Sequence, residues 1–120
     1  MIGMGQDYHF DREDVFQAHC FRWFWGTFPE YRYLLHCNNN NSANRITGNQ
    51  NKAKGVVKGV ADLEFYRNGK LTFIELKLPN KGQFSEQKEF QAKVEAEGFR
   101  YEIVKTFEDF KKLMYELLEG

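Results

Sequence analysis

Apolar and polar positions alternate most regularly between Lys58 and Lys77 (KGVADLEFYRNGKLTFIELK), where two β-rich runs flank Asn68-Gly69. That dipeptide tolerates well the two positive φ angles of a two-residue type I′ turn, so the pattern predicts a hairpin. With Asn68 and Gly69 as the loop, Arg67 faces Lys70, Tyr66 Leu71, Phe65 Thr72, Glu64 Phe73, Leu63 Ile74 and Asp62 Glu75. Side chains alternate along a strand. Ala61, Leu63, Phe65, Ile74 and Leu76 therefore form an anchoring apolar face, and Asp62, Glu75 and Lys77 converge on the other.

The flanking patterns supply further elements. Asp11 is a candidate cap for a helix with an acidic first turn and apolar residues at Val15, Phe16, His19, Cys20, Trp23 and Phe24, ended by Gly26 and Pro29. Glu13 and Gln17 lie four apart and share a face with Cys20 and Phe24. Tyr31 to Cys37 reads as a short aromatic strand. After Lys77, Pro79 and Asn80-Lys81-Gly82 make a turn, and Ser85 can cap a helix whose inward face is Gln87, Phe90, Gln91 and Val94, stopping at Gly98. Arg100 to Lys105 alternates as a strand. Thr106 caps a last helix with Phe107, Phe110, Leu113, Met114 and Leu117 as a core stripe. Residues 1 to 10 carry no pattern and read as a mobile arm, leaving one domain within residues 1–120.

Charge changes this picture locally. Lys plus Arg and Asp plus Glu are balanced at 17 each, so no global field draws the protein to a polyanion. Yet no acid lies between Glu30 and Asp62, an interval holding Arg32, Arg45, Lys52, Lys54 and Lys58. Residues 38 to 51, rich in asparagine and without periodicity, form either a plain connection or a loop that closes on a phosphate backbone through Arg45, Lys52, Lys54 and Lys58. No apolar run is long enough for a membrane span, which points to an intracellular, cytoplasmic protein with no membrane partner. Cys20 and Cys37 each follow a histidine, but adjacent residues point different ways, so they read as ordinary half-buried thiols and not as a zinc site.

Asp62 opposite Glu75 is a like-charge pair that needs a cation or a proton. Two carboxylates beside an ammonium suit Mg²⁺, with Mn²⁺ as a substitute, and such an ion activates water and neutralises a phosphate. Asp62 followed by Glu75-x-Lys77 at the end of the next strand resembles the PD-(D/E)XK nuclease superfamily. Gly59-Val-Ala-Asp62, Phe73-Ile-Glu-Leu-Lys77 and Ser85-Glu-Gln87 together look like its VRR-NUC branch, with Ala61 where that branch usually has proline.

The resemblance implies an α/β, restriction-endonuclease-like αβββαβ core, a small mixed sheet flanked by helices, with an added C-terminal helix. It implies a metal-dependent endodeoxyribonuclease in which Asp62, Glu75 and the Leu76 carbonyl hold the ion and Lys77 orients the water or stabilises the phosphate. Glu13 and Gln87 would assist, although Glu13 also reads as a solvated first-turn acid. Stand-alone members look like homodimeric nucleases of branched DNA such as Holliday junctions. The aromatic surplus at Trp23, Trp25, Phe28, Tyr31 and Tyr33 offers a surface for a second copy. The competing reading is a non-catalytic nucleic-acid-binding or scaffold module that keeps the fold.

Overall fold

The turn at the centre of the chain forms as its residues require, with φ of 53° at Asn68 and 73° at Gly69. The computed structural model describes residues 9–38 and 53–120. Around the hairpin of β2 (Leu63–Arg67) and β3 (Lys70–Leu76) stand β1 (Leu35–Cys37) and β4 (Arg100–Val104), in the order β1-β2-β3-β4. The first two pairings are antiparallel and β3 pairs with β4 in parallel, giving a mixed four-stranded sheet. Helices α1 (Glu13–Thr27), α2 (Ser85–Ala96) and α3 (Phe107–Glu119) accompany it among the described residues. A parallel neighbour cannot be reached by a tight turn, and α2 supplies the crossover from β3 to β4.

β3 is buried on both faces because helices cover both. On one face Leu63, Phe65, Ile74 and Leu76 join Phe16, Cys20 and Phe24 of α1 and Phe110, Leu113 and Met114 of α3 in the main core. On the other, Ala61, Phe73 and Tyr101 form a smaller cluster beneath Phe90 and Val94 of α2. Ala61 therefore does not share a face with Leu63, as strict alternation predicts. The chain bends at Asp62, which resets the alternation before the strand begins. Gly59 carries a φ of +94°, and a Cβ there would lie 2.5 Å from the Glu86 carbonyl oxygen at the start of α2. Only glycine lets the approach to Asp62 pass so close to that helix.

Several expected boundaries shift. Arg12, not Asp11, occupies the N-cap of α1 and offers no side-chain bond, while the exposed Asp11 pairs with His9 at 3.2 Å. Val15 is 47% exposed, so the buried stripe is Phe16, Cys20 and Phe24. The strand expected from Tyr31 is confined to Leu35–Cys37, because Pro29–Tyr31 makes a 3₁₀ turn and Tyr33 takes a φ of 76° to enter the sheet. Phe84 replaces Ser85 as the N-cap of α2. Thr106 does cap α3, its hydroxyl accepting the Asp109 N–H at 3.1 Å.

Within the expected arm, Phe10 stacks on Phe16 at 5.1 Å; residues 1–8 lie outside the described residues. Trp23, Trp25, Phe28 and Tyr31 pack against the main core, leaving only Tyr33 of the aromatic surplus largely exposed. These aromatics are consumed within the chain and do not argue for a second copy. No described helix is long and apolar enough to cross a membrane.

Candidate metal centre

The hairpin register runs as expected from Arg67↔Lys70 to Leu63↔Ile74 and then stops. Asp62 does not sit opposite Glu75 as a laddered pair. Its carboxylate turns inward and accepts the Leu76 N–H at 2.7 Å, taking the place of a backbone acceptor. From the other side Asn38, just past β1, donates its backbone N–H to the Asp62 carbonyl at 2.9 Å and its side-chain amide to the Ala61 carbonyl at 2.8 Å. Asp62 is thus fixed by both neighbours of β2. Within a strand the N–H and C=O of one residue point the same way in the sheet plane. The Leu76 carbonyl accordingly faces the same side as its N–H, toward Asp62.

Glu75 and Lys77 project from the same face of β3, and both are buried, at 0% and 5% exposure. The Glu75 carboxylate is asymmetric. Its Oε1 accepts from the Tyr101 hydroxyl on β4 and from the Gln83 side-chain amide at 2.8 Å, whereas its buried Oε2 has no partner. The Lys77 ammonium lies 5.2 Å from the centre of the Phe84 ring. Burial pushes Asp62 up to about 6, with the charges of Glu13 and Glu75 adding and the Leu76 N–H and Lys77 opposing. Four of the expected residues, Asp62, Glu75, Lys77 and Glu13, therefore share one electrostatic environment.

Gln87 has a different immediate role. It is buried at the third position of α2, and its side-chain oxygen accepts the Phe84 N–H at 3.1 Å, closing the helix N-terminus. That bond positions Phe84, and through it the ring beneath Lys77. Of the four basic residues, Lys54 and Lys58 are exposed; Lys58 pairs with Glu86 at 3.7 Å and lies 5.6 Å from the same Phe84 ring. Arg45 and Lys52 lie outside the described residues. The thiols are not half-buried as expected: Cys20 is fully enclosed and pushed up by burial, and Cys37 is exposed. A cysteine nucleophile has no support here.

No family model matches the chain, and no curated protein or solved structure matches it either. The donor set has to speak for itself. Among the described residues no group of three or more His, Cys, Asp and Glu side chains converges, so a metal would rest on two carboxylates and backbone or solvent oxygen. Such a set is what Mg²⁺ uses, since it keeps several waters and takes one or two carboxylates. The unpartnered buried Oε2 of Glu75 fits this demand, because an acceptor without a donor in a dry site is costly unless a cation completes it.

The sequence could not disclose Tyr101, Gln83 or Asn38. Tyr101 reaches Glu75 only through the parallel β3–β4 pairing, Gln83 lies in a turn without periodicity, and Asn38 heads an asparagine run that looks like solvent-exposed loop.

Proposed function

We propose that this protein is a metal-dependent endodeoxyribonuclease of the PD-(D/E)XK type, with the restriction-endonuclease-like core that its strand order is consistent with. The observation that carries the reading is the buried, unpartnered Oε2 of Glu75, a carboxylate whose charge acts on Asp62. Asp62, Glu75 and the Leu76 carbonyl would hold Mg²⁺ or Mn²⁺. Once bound, the ion neutralises the phosphate and acidifies a water.

The chain's own groups do the rest. Lys77, held over Phe84, supplies a fixed positive charge for the phosphate oxygens as negative charge builds on them. Glu13 adds negative charge at the rim of the centre, favouring a cation there. Lys54 and Lys58 precede Asp62 in the chain and are exposed, and Lys58 lies on the same Phe84 ring as Lys77, so that they would offer charge to a phosphodiester backbone. Such contacts read backbone geometry and not base edges, and branched DNA is proposed as the substrate on the resemblance alone.

A second reading, a nucleic-acid-binding module without chemistry, draws on the absence, among the described residues, of three His, Cys, Asp or Glu side chains placed to hold one ion. Linear, flap, forked and four-way DNA incubated with Mg²⁺, Mn²⁺ or EDTA separates the two. Cleavage should need the metal, and Glu75→Gln or Lys77→Ala should lower it by at least about 10²-fold, with Glu75→Gln in EDTA at least as stable as the wild type. DNA binding by the wild type without cleavage in either metal would leave the binding module standing.

A further inference from the structure

Two donors converge on one oxygen of Glu75 and none on the other. Tyr101 comes from β4 and Gln83 from the turn before α2, so two segments besides β3 determine where this carboxylate points. Gln83 is itself steadied, its amide nitrogen also donating to the Gln91 side-chain oxygen on α2 at 3.0 Å. The Tyr101 ring is packed between Phe73 and Phe90, at 6.5 and 6.2 Å between ring centres, leaving its hydroxyl little freedom.

If the cluster served stability alone, the donors would be better divided between the two oxygens. A buried acceptor left unmade costs about 1–3 kcal/mol, and more when charged. Both donors are also uncharged. A phenol hydroxyl and a side-chain amide are neutral donors by their chemistry. An arginine or lysine in either place would neutralise the carboxylate and compete with a cation; an alcohol and an amide orient it and leave its charge available.

We propose that Tyr101 and Gln83 are positioning residues for a divalent cation: they pin Glu75 by Oε1 so that Oε2 alone is presented to the ion. The inference rests on Glu75 being a metal ligand, as proposed above. Hydrogen-bonded partners of this kind orient metal ligands, and their loss typically costs 10–100-fold in metal affinity or activity.

The test is a titration of the full chain with Mn²⁺, followed by the paramagnetic signal of the free ion and by calorimetry. Tyr101→Phe keeps the ring and removes the donor; Gln83→Ala removes the second donor from a turn outside the core. Each should weaken Mn²⁺ binding by the folded protein about 10–100-fold, well beyond any loss of folded protein that removal of a buried hydrogen bond brings. Cleavage of DNA should return toward the wild-type rate at saturating Mn²⁺, which a folding defect would not allow.

Wild-type Mn²⁺ affinity in both variants, with binding lost in Glu75→Gln, overturns the positioning role and leaves the metal centre intact. Absence of Mn²⁺ binding in the wild type overturns the metal centre and this inference together. Should Tyr101→Phe fail to fold, Gln83→Ala decides alone.

Discussion

At the C-terminal end of β3 the two faces are both buried and chemically opposite. Ile74 and Leu76 point into a core where Phe16, Phe24, Phe65 and Phe110 are fully enclosed. Glu75 and Lys77, one residue away in each case, are also withdrawn from water, yet into a cluster of amides, a phenol and a second carboxylate. Burial of the first kind contributes roughly 1.5–3 kcal/mol per large side chain. Burial of the second kind works against folding, since a charge leaves water without full compensation. The contrast teaches where stability is generated and where it is spent. A chain selected only to fold would not place a glutamate with an orphaned oxygen at the centre of its sheet.

The largest expected effect separates the faces by stability. Phe110→Ala empties a fully buried position between α3 and the sheet and should cost about 3–5 kcal/mol. Mn²⁺ affinity of the folded fraction should stay at the wild-type value, because Phe110 lies on the apolar side of β3. Chemical denaturation and metal titration on the same variant check both statements. A loss of metal affinity well beyond the loss of folded protein would show that the faces are coupled and the division is wrong.

Next comes a change in the opposite direction. Asp62 sits at about 6 in the folded protein against an ordinary value of 3.8, so the folded state holds this proton more tightly than the unfolded state does. Its contribution is favourable below about pH 4, declines as pH rises toward 6, and is a net cost above that. Asp62→Asn removes the cost and can still accept the Leu76 N–H. In EDTA at pH 7 to 8 the variant should be more stable by on the order of 3 kcal/mol, with the gain vanishing near pH 4. Melting curves across that range decide the point. A variant less stable at pH 8 would mean that the Asp62 carboxylate is a structural acceptor that an amide cannot replace.

This division also explains what the sequence disclosed. The hairpin, its register from Arg67 to Leu63 and the α3 stripe are local or periodic, and local chemistry fixes them: Asn68-Gly69 sets the turn, and each apolar residue needs one face. Glu75 and Lys77 were legible for the same reason, a two-residue period, whereas Asp62 lies past the end of the ladder and is held by its carboxylate on the Leu76 N–H. What failed was either a boundary or a contact between distant segments. The bend at Asp62 moved Ala61 to the other face, and the positive φ at Tyr33 shortened β1. Tyr101 reaches Glu75 only once β4 lies parallel to β3, a pairing that no period in the sequence encodes, and Gln83 reaches it from a turn without periodicity.

The smallest expected effect concerns the rim of the polar face, where Lys58 is paired with Glu86 in solvent. An exposed ion pair contributes about 0–1 kcal/mol, so Lys58→Ala should leave the melting temperature nearly unchanged. Its consequence should appear only when a polyanion competes for the ammonium. If Lys58 contacts one phosphate, the slope of log affinity against log salt for duplex DNA should become shallower by about 0.9, and the effect should be similar whatever the DNA sequence. The Phe84 ring adds a discriminating detail, because Lys58 and Lys77 both lie within 6 Å of its centre. Removing Lys58 leaves Lys77 in place, so DNA binding should weaken while the metal dependence of cleavage persists. An unchanged salt slope would confine recognition to other cations and make Lys58 no more than the partner of Glu86.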